Sequence, residues 1–350
     1  MIKPILRTIL ILLVCSLGVS TMNAQDIHYS QFYQSPMSLN PSLTGHMPAK
    51  FRVNGMYRDQ WPQVPVGGTT YRTYMVGFDA NLLRTKDQYN SLGLGVYLMN
   101  DESGAGKLNT TEVVLSAAYH LDLQRNMKYY ISVGVQGGLM NKRLDAEEIL
   151  FGSQIDGNGE PTLPSNEIFD NTSIFMPDLR FGLTFAAFPS HKTRYKIGVG
   201  LFHLLQPSET FVGIPNKLPL RIAAHADARF GFGSNARFGI EPRAFFQTQA
   251  KAMELVPGLL FDIGIVDKAS LYLGGEIRLD GSVDGGIATD AGIAVIGLRI
   301  LDWDVGVSYD FNISSLDNAT NGQGGLELSL LKIFRRAYKV EPILPAIRYN

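Results

Sequence analysis

The sequence predicts an all-β protein, a transmembrane antiparallel β-barrel of about fourteen strands of the outer-membrane kind. Three observations carry that expectation: apolar residues recur at every second position over most of the chain, long connections sort by parity, and an export signal opens the sequence. The composition fits. Of 350 residues 45% are hydrophobic and only 18% charged, with 31 Lys+Arg against 32 Asp+Glu. This apolar content and a formal charge of −1 exclude a disordered chain and a polybasic nucleic-acid binder. After the N-terminus there is no run of about 20 apolar residues, which argues against a helical membrane protein.

Residues 1–24 read as a signal peptide. Lys3 and Arg7 precede an apolar stretch, Ile9 to Val19, too short to span a bilayer, and Ala24 supplies the small residue after which cleavage is expected. The rival reading, a lipoprotein centred on Cys15, lacks the small residue before the cysteine, which here is Val14. Cys15 is the only cysteine and leaves with the signal, so the mature chain forms no disulfide and no thiolate metal site. Residues 25–50 lack alternation and contain Pro36, Pro41 and Pro48; they are expected to be a periplasmic N-terminal segment, a strap or a plug. Residues 335–350 form a basic, proline-interrupted tail, also expected in the periplasm.

Between them, residues 51–334 carry the barrel. Leu271, Leu273, Ile277 and Leu279 share one face, opposite Tyr272, Glu276, Arg278 and Asp280. Trp303, Val305, Val307, Tyr309 and Phe311 stand likewise against Asp304, Ser308, Asp310 and Asn312, and Ile131, Val133 and Val135 against Ser132, Gly134 and Gln136. Each such segment is near the roughly 9–11 residues that a tilted strand needs to cross a bilayer. An even strand number puts both ends of the barrel on one side. Four odd-numbered connections, 59–69, 142–173, 206–217 and 313–322, are long, whereas 124–127, 189–193, 233–235 and 266–268 are tight. Outer-membrane barrels sort their loops in this way, short on the periplasmic side, and a soluble β-sandwich has no reason to. Aromatic residues such as Tyr57, Trp61, Tyr119, Tyr130, Phe188, Tyr195 and Trp303 near strand ends suit an interfacial girdle.

Chemistry motifs are sparse. There is no phosphate loop, His-Glu-x-x-His or Gly-x-Ser-x-Gly, and histidines 28, 46, 120, 191, 203 and 225 are scattered, so no enzyme, catalytic residue, cofactor or metal site is expected. Asp156-Gly157-Asn158-Gly159-Glu160 spaces oxygen ligands as calcium loops do, but lacks the distal Glu and reads as an ordinary turn. Glu276, Asp304, Asp310 and Glu327, with Asp290 and the cations Arg278 and Arg299, fall on the inward face of an acidic, glycine-rich wall. They are expected either to brace the barrel as an ion-pair network or to line the lumen for a pore or an inserted peptide.

Asp26-Ile27-His28-Tyr29-Ser30-Gln31-Phe32, then Asn40-Pro41-Ser42-Leu43-Thr44-Gly45 and Tyr57-Arg58-Asp59-Gln60-Trp61, resemble the N-terminal signature of the PorP/SprF family of Bacteroidota outer-membrane proteins. Later stretches fit in order, among them Gly198 to Leu204, Ser308 to Leu316 and Gly324 to Leu330; Ile27 stands where many members have Pro. The resemblance implies a component of the type IX secretion system and its gliding-motility branch. Such a component works with periplasmic ring and lipoprotein partners, or serves the export and surface anchoring of adhesins through their C-terminal domains. On that basis Tyr29, Ser30, Gln31, Asn40, Pro41, Tyr57, Arg58, Trp61, Arg335 and Arg336 become candidate partner-binding residues, and the long outer loops candidate cargo contacts. The alternative is an outer-membrane transport channel for small or hydrophobic solutes; a barrel hydrolase is a third reading.

Overall fold

The computed structural model describes residues 26–335, apart from 62–69, 85–89, 105, 146–148, 150–153, 157–161, 163, 165–171, 212–215, 234–235, 283–284 and 315–321. The signal peptide, Arg336 with the rest of the tail, and most of the calcium-like string thus lie outside the described residues.

Fourteen antiparallel strands close into one barrel. They are β1 Phe51–Gln60, β2 Thr70–Arg84, β3 Ser91–Gly104, β4 Leu108–Asp122, β5 Tyr129–Arg143, β6 Ser173–Ser190 and β7 Thr193–Phe202. The remainder are β8 Arg221–Phe232, β9 Phe238–Gln249, β10 Ala252–Val266, β11 Ala269–Ser282, β12 Ile287–Ile300, β13 Trp303–Asn312 and β14 Gly325–Phe334. Each pairs with its sequence neighbours, and β1 pairs with β14 from Phe51↔Phe334 to Gln60↔Gly325, so no edge is left with unpaired backbone groups. Alternation sets the faces: Leu115, Val135, Ile197, Ile277 and Val305 are exposed on the outside, while Ser116, Gln136, Arg278 and Asp304 are buried inside. Among the described residues no helix is long and apolar enough to cross a membrane.

Most strands are longer than the expected membrane span. Only β1, β7, β13 and β14 have 10 residues, and β6 has 18. The excess on β6 lies at the end where residues 144–172 connect it to β5: there β6 runs on past its last pair with β7, Phe181↔Leu201, while β4 keeps level with β5 at Asn109↔Arg143. We call this the loop end, because the long connections after β1, β7 and β13 also start from it, although the tight ones after β3, β9 and β11 share it. All connections at the opposite, turn end are short. Two residues expected in an aromatic girdle face the other way: Tyr130 and Phe188 point into the lumen and pack on His46, with ring centroids 5.9 and 6.2 Å away.

Of the two forms expected for the N-terminal segment, strap or plug, residues 26–50 take the plug. They run inside the lumen and not beside the tail. Asp26 lies at the loop end, against the ends of β8 and β9, and the chain then runs down the lumen to Lys50, which meets Phe334 at the turn end and leads into β1. Strand parity fixes where β1 starts but says nothing of a segment threaded inside. This plug makes only short turns, the helical turn Pro36–Leu39 and 3-10 turns at Phe32–Gln34 and Pro41–Leu43. The prolines set those bends and remove backbone donors that the lumen would have to satisfy.

Two faces hold the plug. Phe32, Tyr33, Leu39 and Leu43 join Phe202, Phe245, Leu260 and Tyr272 of the wall in one apolar cluster, and Tyr29 and Met37 join Met56, Met75 and Tyr97 in another. Lumenal glycines let the plug backbone touch the wall. A Cβ on Gly134 would overlap the Pro41 carbonyl, and one on Gly93 would overlap the Thr44 carbonyl and the Gly45 Cα.

Candidate functional site

The site built by these elements is the interface of plug and lumen wall, best followed from the loop end downward. At the mouth, the Asp26 carboxylate pairs with His203 and, at 3.3 Å, with Arg221, and accepts a hydrogen bond from Gln249 at 3.1 Å. His203 Nδ1 stands 3.1 Å from Asp178. Burial by itself disfavours the imidazolium, but Asp26 and Asp178 on its two ring nitrogens outweigh that and push His203 up to about 9. Burial also opposes ionisation of Asp26, yet His203 and Arg221 hold it well below the usual carboxylate range.

The sign of the pH dependence follows. The stabilisation from His203 is complete below the ordinary histidine value of about 6.5 and disappears as pH rises through about 9; that from Asp26 is present above about 4 and disappears in acid. The start of the plug is therefore expected to be held most firmly between about pH 4 and 6.5. Amide-exchange protection factors for residues 26–30 check this: they should fall markedly between pH 6 and pH 10, and His203→Gln should remove the alkaline loss.

One turn deeper, Ser30 and Gln31 donate their backbone N–H groups to the two oxygens of Glu327 at 2.9 and 2.6 Å. The Ser30 hydroxyl donates to Asp310 at 2.8 Å and accepts from Arg58 at 2.8 Å and Arg278 at 2.7 Å. Arg58 spans Asp310 and Glu327 at 2.9 and 3.2 Å, and Arg278 holds Asp310 at 2.8 Å. All five side chains are buried. A serine, two backbone amides and four charges thus complete one another, as a buried ionic cluster requires.

Lower still, Gln34 donates to Asp304 at 2.9 Å and to Tyr272 at 3.1 Å, and Arg299 braces Asp304 at 3.2 Å. Asn40 accepts the Ser42 N–H at 3.0 Å, capping the next turn, while Ser42 and Thr184 share a 2.6 Å hydrogen bond. At the turn end Gly45 N–H donates to Asp79 at 2.6 Å, and the same carboxylate binds Arg52, which also donates to the Leu43 carbonyl at 3.1 Å.

The residues nominated from sequence fall into three groups. Tyr29, Ser30, Gln31, Asn40, Pro41 and Arg58 are buried against the lumen, so they are committed to this chain's own wall and are not presented to a partner in this state. The physical reason is that inward charges cannot stay unpaired, and this segment supplies their partners. Tyr57 and Trp61 lie near the loop end, Tyr57 tilted against Tyr74 and Trp61 edge-to-face with Tyr71, ring centroids 5.2 Å apart in each pair, and Arg335 pairs with Asp302 at the turn end. Of the lumenal set, Arg278, Asp304, Asp310 and Glu327 meet the plug as described, and Asp290 lies 3.5 Å from Arg278. Glu276 differs: it is buried, and neither carboxylate oxygen has a hydrogen-bond partner.

Sequence reading missed much of the wall. The inner face is not mainly acidic; it also carries Arg52, Arg180, Arg194, Arg229 and Arg243, each paired with a buried carboxylate. Glu241 alone gathers Arg194, Arg229, Arg243 and Arg299 within 3.4 Å. The alternation already placed these arginines opposite apolar neighbours, as with Arg194 beside Tyr195. Among the described residues no group of three or more His, Cys, Asp or Glu side chains is placed to hold a metal ion.

Comparison with known proteins gives one family and a set of barrels. The profile of the family described as type IX secretion system membrane protein PorP/SprF matches residues 21–330. No curated protein matches significantly. Among solved structures, the toluene transporter TbuX of Ralstonia pickettii aligns with a TM-score of 0.48 at 14% identity, over 85% of this chain and 93% of that one. The monoaromatic hydrocarbon channel CymD aligns with a TM-score of 0.47 at 12% identity, over 92% and 97%. The translocator domain of the autotransporter NalP from Neisseria meningitidis gives 0.35 at 12% identity, over 83% and 90%.

Proposed function

The chain belongs to the PorP/SprF family of type IX secretion system membrane proteins, and from that premise we propose that this outer-membrane barrel helps export adhesin cargo or anchor it at the cell surface. Export begins with signal cleavage after Ala24. The loop end faces outward and meets the C-terminal domains of secreted adhesins, with the β5–β6 hairpin, whose β6 outruns β7, and the connection from β7 to β8 as the natural contacts. The turn end, with the tail from Arg335, faces the periplasmic ring and lipoprotein components, and the protein performs no catalysis.

The observation that supports a holder most is the plug. A lumen threaded from end to end by its own chain, and clamped by buried ions at several levels, is built to be rigid. Deleting the gene in the parent bacterium is expected to leave a specific large adhesin off the surface and to impair gliding. Normal adhesin display and normal gliding in the deletion strain would overturn the reading.

A further inference from the structure

Between the start of the plug and the wall of β3, β4 and β5, the loop end encloses a cavity of about 170 Å³. Four basic side chains border it, and each already has an acid: Lys142 has Glu209 at 2.5 Å, Arg180 has Glu112 at 3.0 Å, Arg221 has Asp26 at 3.3 Å and His28 has Glu254 at 2.9 Å. Those pairs also account for the bordering acids Glu112 and Asp26. Asp101 remains. It borders the cavity, is only 9% exposed, and accepts a hydrogen bond from Thr73 at 2.7 Å, but no cation lies within ion-pair distance among the described residues. Tyr29, on the plug side of the same cavity, has a buried hydroxyl with no hydrogen-bond partner.

A buried carboxylate with no cation in contact is only partly compensated, here by the more distant charges of Lys142 and Arg58, and a cation seated beside it would complete the pairing. The surrounding wall selects the kind of cation. Tyr97, Phe32 and Phe245 present rings and Met99 and Met140 present thioethers. Such a wall suits an organic ammonium; a hard metal ion needs about six oxygen ligands. A cavity of about 150 Å³ already accepts a molecule the size of benzene, so a four-carbon chain fits here. We infer that this cavity receives an alkylammonium group, the side chain of a lysine on a polypeptide seated at the loop end, with Asp101 as its counter-ion and Tyr29 Oη as an acceptor. The inference rests on the reading that the loop end meets secreted cargo.

The test is calorimetric titration of the purified full-length barrel in detergent. The probes are N-acetyl-lysine N-methylamide, 1,4-diaminobutane and, as the opposite charge at equal size, butyrate. The capped lysine is expected to bind, and butyrate not to. Asp101→Asn should weaken lysine binding by at least about tenfold, a factor equal to 1.4 kcal/mol. Leu108→Trp, which fills the cavity and leaves the carboxylate in place, should do the same; heat-modifiable gel migration verifies that both variants are folded. Binding of the diamine without the capped lysine would overturn the lysyl assignment in favour of a free amine. Failure of both amines to bind, or equal binding by Asp101→Asn, would overturn the site. A deletion strain with normal adhesin display sinks the cargo reading and leaves amine binding untouched, so the two failures are distinct.

Discussion

Replacing Glu327 by alanine is expected to destabilise the folded barrel by about 3–5 kcal/mol, the usual range when one member of a buried charge cluster is removed. The Ser30 and Gln31 amides lose their acceptor at once, and the Arg58 guanidinium loses one of its two carboxylate partners. No water replaces the carboxylate readily, since Glu327 is fully buried. Glu327→Gln keeps one acceptor oxygen and should lie between alanine and the native residue. Unfolding followed by heat-modifiable migration in detergent reads the stability. Labelling of a cysteine placed at Ser30 reads the plug, because the mature chain has no other thiol. If the alanine variant unfolds at the native temperature and its Ser30→Cys thiol stays unreactive, the clamp does not hold the plug.

Excising residues 26–46 should convert an electrically silent barrel into one with a steady conductance in planar bilayers. Fourteen strands lie between the about 8 whose side chains fill the interior and the about 16 that leave an aqueous channel, so what blocks this lumen is the plug. The experiment separates the two leading functions. A solute channel must conduct or pass solute with its plug present; a holder conducts only without it. Because excision can compromise folding, a second variant keeps the question open to measurement. Ser42→Cys with Thr184→Cys places two thiols where the native hydroxyls are 2.6 Å apart, tying plug to wall on oxidation. Solute flux that stops on oxidation and returns on reduction would favour the channel. An unchanged, silent barrel with intact adhesin display would favour the holder.

How much of this was legible depends on which residues are asked. The strands were, because a period of two separates Leu273 and Ile277 from Tyr272 and Glu276 without knowledge of any partner. The inward placement of Asp304, Asp310 and Glu327 follows from the same rule. The path of the plug was not. Ser30, Gln31, Gln34 and Asn40 are the residues of an ordinary solvated loop, and nothing in their order distinguishes water from a buried arginine as partner. Parity reasoning compounded the difficulty: it is a statement about hydrogen-bonded strands, and residues 26–50 belong to no strand. Most of the inner arginines escaped notice because nothing within one strand shows what an arginine will meet, and only closure brings Arg194, Arg229, Arg243 and Arg299 around Glu241.

The direction in which the plug runs constrains how such a molecule is assembled. The segment is covalently joined to β1 at one mouth, and its beginning lies at the other. A finished barrel could acquire it only by drawing that beginning through a lumen lined with charges, each to be dehydrated in turn. Closing the β1–β14 seam last, around a segment already laid along the inner wall, avoids that passage. The order of events then becomes a matter of sewing: the thread is laid first and the cloth is joined over it. A bulky folded tag placed ahead of Asp26 should accordingly slow or stop seam closure, while the same tag after Arg335 leaves it free.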